Sequence, residues 1–126
     1  MFSLSTLGAA PQTTEKSVIT TAQLQEMFSN MRANPKWNVD APLLWGYFFI
    51  DPDPKWLQLV AQDLAASGYR LVDIHPTDDK STYVLHVEKV EHHTVESLNK
   101  RNQEFYALAE KFKLSSYDGM DVVPAK

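Results

Sequence analysis

Cysteine is absent from the 126 residues, which removes a disulfide framework, a thiolate nucleophile and any Cys-ligated zinc or iron–sulfur cluster. Glycine is scarce: Gly8, Gly46, Gly68 and Gly119 stand alone, so there is no Gly-rich phosphate loop, and no serine sits in a nucleophile elbow. Long apolar runs are missing too. The longest, from Ala41 to Ile50, holds Pro42 and Gly46 and falls well short of the roughly 18 to 20 residues that a membrane-spanning helix needs. The opening residues, Met1 to Ala10, carry no basic residue ahead of their apolar positions, unlike a secretory signal, so a cytoplasmic location is the expectation. Basic charge is in short supply: 12 Lys and Arg face 16 Asp and Glu, for a net charge of -4. That balance repels phosphate backbones and favours basic partners.

What is present is a chain that packs. Hydrophobic residues at 44% and charged residues at 22% are close to globular averages, and the length fits one domain. Residues 1–20 are rich in Ser, Thr, Gly, Ala and Pro without an apolar period, which predicts a flexible N-terminal arm. Residues 21–42 read as a helix and linker. Thr20 or Thr21 can cap the helix with Gln23 as reciprocal partner, Leu24, Met27, Phe28 and Met31 share a face, and Asn34 before Pro35 stops it near Ala33.

From residue 43 to 126 the pattern alternates between strands and helices. Leu43 to Ile50 is a short aromatic-rich run stopped by Asp51-Pro52-Asp53-Pro54; being apolar on both faces, it predicts a central strand. Asp53 and Pro54 suit a helix start, and Gly68 suits its left-handed stop after a stripe of Trp56, Val60 and Leu64 with Leu57 and Ala61 beside it. Tyr69 to Ile74 predicts the next strand and Pro76-Thr77-Asp78-Asp79 a turn. In the third strand, Ser81 to Val90, Tyr83, Leu85 and Val87 lie on one face and Thr82, Val84, His86 and Glu88 on the other. Thr94 caps a helix to about Lys113 with Val95, Leu98, Phe105, Leu108, Ala109 and Phe112 as its buried stripe, and Tyr117 to Val123 forms the last strand. The order βαββαβ predicts an α+β, ferredoxin-like sandwich: an antiparallel four-stranded sheet in the order 4-1-3-2, with an extra N-terminal helix.

Several short stretches add to this pattern: Tyr47-Phe48-Phe49 before an acidic turn, Leu64-Ala65-Ala66-Ser67-Gly68-Tyr69, and Leu108-Ala109-Glu110-Lys111-Phe112 leading to Tyr117-Asp118-Gly119. Over roughly residues 45–121 the chain resembles the regulator of ribonuclease E activity B family. The resemblance implies a ferredoxin-like fold and a small non-enzymatic protein that binds the endoribonuclease and dampens RNA cleavage. An immunity-type or scaffold protein with a different protein target is the alternative.

Direct chemistry finds little support. The histidines are His75, His86, His92 and His93. His86 and Glu88 share a strand face, but adjacent His92 and His93 point apart in most backbone conformations, so solvated histidines are expected and no metal or cofactor is implied. Turn aspartates in solvent lack the raised pKa that a general acid needs. Two binding surfaces are predicted instead. If Leu44, Phe48 and Ile50 face the helices, then Trp45, Tyr47 and Phe49 lie on the open sheet face beside His86; the first helix, a second copy of the chain or a partner would cover them. Stacked RNA is the weaker occupant, since Glu88 and Glu91 oppose phosphates. The second surface is acidic. Six aspartates fall between residues 51 and 79 against only Lys55 and Arg70, and Asp51, Asp53, Asp78 and Asp79 line one end of the sheet. They serve either as local turn and cap acceptors or as a rim that steers a basic partner segment.

Overall fold

The computed structural model describes residues 2–5 and 18–125. The elements run β1 (Phe2–Ser5), α1 (Thr21–Ala33), β2 (Leu43–Asp51), α2 (Pro54–Ala65), β3 (Arg70–Pro76), β4 (Tyr83–Glu91), α3 (Val95–Lys111) and β5 (Ser116–Pro124). The sheet order is β1-β5-β2-β4-β3, with every pairing antiparallel. Its last four strands are the expected 4-1-3-2 arrangement. To this the N-terminal segment adds a fifth strand, because Phe2–Ser5, within the stretch read as an arm, pairs with Gly119 to Val122. The remainder of that stretch, up to residue 17, lies outside the described residues.

Local chemistry sets the element ends. Thr20 and Gln23 form a capping box on α1, and Asn34 ends it. Asp53 accepts the Lys55 N–H at 2.9 Å, with Pro54 at the first helical position of α2, a place where the missing N–H costs nothing. Gly68, at φ 93°, takes the left-handed conformation that releases the chain into β3. Thr94 and Ser97 cap α3 reciprocally.

All three helices lie on one face of the sheet. α2 packs on β3, β4 and β2, α3 on β5, and α1 beside α3 and β1. Of the three occupants considered for the open face, α1 is therefore excluded: its Phe28 stacks on Trp45 with ring centroids 6.0 Å apart, inside the same core. The centre of that core is aromatic, with Tyr47, Phe49, Tyr69 and Tyr117 arranged around Phe105 at centroid separations of 5.0 to 5.6 Å. Edge-to-face and tilted pairs at this spacing suit the ring quadrupoles. One stripe position is also corrected: Trp56 is 48% exposed, while Leu57 beside it is fully buried.

Candidate functional site

The direction of β2 decides which surfaces exist. Directly opposed residues of an antiparallel pair share a sheet face; Tyr47 opposes Val87 and Phe49 opposes Leu85, whereas Phe48 opposes His86 and Gly46 opposes Glu88. Trp45, Tyr47 and Phe49 are buried under the helices at 1%, 0% and 0% exposure. They are core residues, and as surface anchors they are corrected. Only His86 of that group stands on the open face, where its ring stacks on Phe48 at 4.4 Å. Burial draws the His86 imidazolium pKa down, opposed by the charges of Asp121 and Asp73. His86 Nε2 and Asp121 both lean over Gly46 so closely that a Cβ there would sit 2.7 Å from the imidazole nitrogen. Around this centre the face is polar and paired, by Arg70 with Glu88 and by Asp73 with His75. It is not the bare aromatic platform that the sequence suggested.

The acidic residues do gather at one end, since Asp51 opposes Tyr83, which in turn opposes Pro76 at the mouth of the 77–82 hairpin. Their roles diverge. Asp51 is only 6% exposed and accepts the N–H groups of Asp53 at 2.9 Å and Ser115 at 3.1 Å, joining the α2 entrance to the start of β5. Asp53 caps α2. Asp79 accepts the Ser81 N–H at 3.0 Å and the Ser81 and Thr77 hydroxyls at 2.8 Å, and these bonds, Ser81's first, hold its carboxyl down at about 2. Asp78 is exposed on the same hairpin. Asp51 therefore serves the fold, while Asp53, Asp78 and Asp79 stand exposed at the surface.

A polar cluster that the sequence did not signal lies where β4 meets α3. Glu91 Oε1 accepts from Arg101 at 2.6 Å; Oε2 accepts from the Tyr47 hydroxyl at 2.7 Å and from His93 Nε2 at 3.2 Å. His93 Nε2 also lies 3.0 Å from the Tyr47 hydroxyl, and its Nδ1 meets Ser97 Oγ at 2.9 Å. Arg101 also binds the Tyr69 hydroxyl. Burial would raise the Glu91 carboxyl, but the hydrogen bonds from His93, Arg101 and Tyr47 outweigh it and hold it at about 2. With burial opposing and Glu91 favouring the charge, the Arg101 guanidinium rises above its ordinary value. Burial likewise pushes the Tyr47 hydroxyl well up. These bonds make the cluster a clamp between β4, α3 and the entrance to β3. Among the described residues no group of three or more His, Asp or Glu could hold a metal ion; His92 is exposed, but His93 is 5% exposed and bonded to Glu91 and Ser97, which corrects the expectation of solvated histidines.

An accessible apolar surface lies at the other edge. Leu71 and Val72 of β3 are 48% and 40% exposed. Between β3 and α2 runs a groove of about 270 Å³ lined by Gln58, Ala61, Gln62, Ala65, Leu71 and Ile74. No ionisable side chain lines it. Its size falls below the ~300 Å³ at which pockets for small organic ligands begin, but it suits a few inserted side chains. A hint of this surface existed in the sequence, where Leu71-Val72 offers apolar residues to both strand faces; that α2 leaves one of them uncovered depends on tertiary placement.

With that geometry established, comparison with known proteins places the chain. A family model described as regulator of ribonuclease activity B matches residues 21–122, so the chain belongs to that family. No curated protein and no solved structure matches significantly.

Proposed function

We propose that this member of the regulator of ribonuclease activity B family acts by binding a ribonuclease, by resemblance endoribonuclease E, and lowering its cleavage of RNA, with no chemistry of its own. The family match from α1 to β5 is the observation that carries the reading. The accessible features agree with it. The open groove is apolar and free of ionisable groups, the Glu91 carboxylate is held by Tyr47, His93 and Arg101, and the segment from residue 51 to 79 holds the whole negative excess. A surface with that charge repels RNA and attracts a basic stretch of protein. No helix among the described residues is long and apolar enough to cross a membrane, and we place the encounter in the cytoplasm.

The test uses the full chain and purified ribonuclease E. Calorimetric titration should give saturable binding, and cleavage of a defined RNA should slow as the complex forms. Absence of both binding and slowing would remove this function and favour a different protein target.

A further inference from the structure

The two ends of the sheet are finished differently. Beyond β5 the N-terminal segment adds a strand, β1, and a helix, α1, which packs against α3 and β1 and buries Leu24, Met27, Phe28 and Met31. Beyond β3 there is neither among the described residues, and what remains is the groove, with Leu71 and Val72 exposed beside it.

Strand addition is discouraged at this edge. The Thr77 N–H bonds the Thr82 carbonyl at 2.9 Å, so residues 77 and 82 form a hydrogen-bonded pair, and alternation turns the backbone groups of Ile74 and Pro76 outward. Pro76 has no N–H to offer, and the register shifts between Leu71 and Asp73. A proline and a bulge are two devices by which edge strands resist pairing. The groove itself is open to side chains. Ala61 and Ala65, one helical turn apart on α2, present little bulk, and Gln58 and Gln62 supply hydrogen-bonding groups beside them. Small residues at i and i+4 let a neighbouring helix approach closely, within the 8–10 Å interaxial range of packed helices.

Charge selects the kind of helix. The flank is built from the segment 51–79, with six aspartates against Lys55 and Arg70, and Arg70 is already paired with Glu88. Past Ile74 the groove leads to the 77–82 hairpin, where Asp78 and Asp79 stand at the surface. A second copy of the chain would bring two such acidic flanks together, so like charge opposes self-association here.

We propose that the groove between α2 and β3 receives a basic amphipathic helix from the protein partner, its apolar stripe on Leu71, Ile74, Ala61 and Ala65 and its cations toward Asp78 and Asp79. The partner helix completes this flank as α1 completes the other. The inference rests on the protein-binding function above and specifies the part of the partner that docks.

The probe is a synthetic peptide with leucine at i, i+3, i+4 and i+7 and lysine and arginine elsewhere, titrated into the isotope-labelled full chain. Two controls replace its cations with glutamate or break its helix with proline. The expected result is NMR shift changes at Gln58, Ala61, Gln62, Ala65, Leu71 and Ile74, helix formation in the peptide, and weakening by salt. Ala65→Arg with Leu71→Arg, both at exposed positions, should weaken binding at least ~10-fold, a loss of well-packed anchor contacts, while the variant stays folded at the temperature of the titration. Val90→Arg on the open sheet face should change nothing. Shifts confined to that face, equal binding of the proline-broken peptide, dimerisation through the same residues, or no shifts at all would each overturn the groove. Ribonuclease E separates this inference from the function. If it binds the wild type and the double variant alike, the groove fails and the function stands; if it binds neither while the peptide seats in the groove, the function fails and the groove stands.

Discussion

The β1–α1 flank and the β3–α2 flank are two solutions to the same problem, since each end of a sheet leaves a strand edge and an apolar margin that water solvates poorly. On the first the chain supplies its own cover, and Leu24, Met31 and Trp45 are sealed to 1% exposure or less. On the second it blunts the backbone with Pro76 and a register shift, and leaves Leu71 nearly half exposed. The contrast teaches that exposed apolar surface here follows placement, not composition. Both flanks are rich in large hydrophobic residues; α1 seals those of the first, whereas α2 buries Leu57, Val60 and Leu64 on the second but leaves Leu71 and Val72 uncovered.

The sharpest way to break that contrast is by truncation. Phe28→Ala on the closed flank removes a ring that is 4% exposed and stacked on Trp45, and it should cost about 3 to 5 kcal/mol in urea unfolding, the range for buried phenylalanines. A loss under about 1 kcal/mol would mean that α1 is not part of the core. Next is the clamp that joins α3 to β4 and, through Tyr69, to the start of the open flank. Glu91→Gln should cost about 3 kcal/mol, because it leaves the Arg101 guanidinium without its counter-charge. The sign of the pH dependence follows from the lowered carboxyl. Glu91 titrates at about 2 in the folded chain against its ordinary 4.5, so its stabilisation is complete above about 4.5 and is lost as pH falls through that range toward 2. Acid unfolding of the Gln variant should lack that component; an unchanged acid limb would assign the clamp no energetic role.

The open flank should respond less. Leu71→Ala is expected to change stability by at most about 1 kcal/mol, since the side chain is already half in water; a loss like that of Phe28→Ala would make the two flanks equivalent. Smallest of all is the effect of Asp78→Lys. This carboxylate lies on an exposed hairpin, so stability should hold, while association with ribonuclease E at low salt slows several-fold and the difference fades at high salt. Stopped-flow rates that ignore both the substitution and the salt would remove steering from the account.

How much of this was legible in the sequence varied with the kind of information each residue carries. Element ends were readable because their signals are local: Thr20 with Gln23, Asp53 with Pro54, Gly68, and Thr94 each act within a few residues of the backbone they cap. The strand order followed from chain connectivity and crossover rules. The facing of β2 was not readable, because Leu44, Phe48 and Ile50 are as apolar as Trp45, Tyr47 and Phe49, and a pattern without a polar side has no phase. Register supplied it, by placing Phe48 against His86 and Tyr47 against Val87. Trp56 misled for a related reason: it sits at the margin of the buried stripe, where size argues for burial and geometry does not. Asn102, fully buried and accepting the Tyr117 hydroxyl at 2.7 Å, and Glu91 gave no sign in sequence of their interior partners, which come from distant segments. The acidic residues were placed at one end correctly, yet only the structure distinguishes Asp51, which holds the fold, from Asp78, which faces solvent.

Hydrogen exchange of the full chain, alone and saturated with ribonuclease E, tests most directly whether partner contact falls on the uncovered flank. Amides of α2 and β3 should exchange more slowly in the complex, while those of α1 and β1 keep their rates. Slowing confined to α1 and β1, or an unchanged profile under conditions where cleavage is inhibited, would contradict the account.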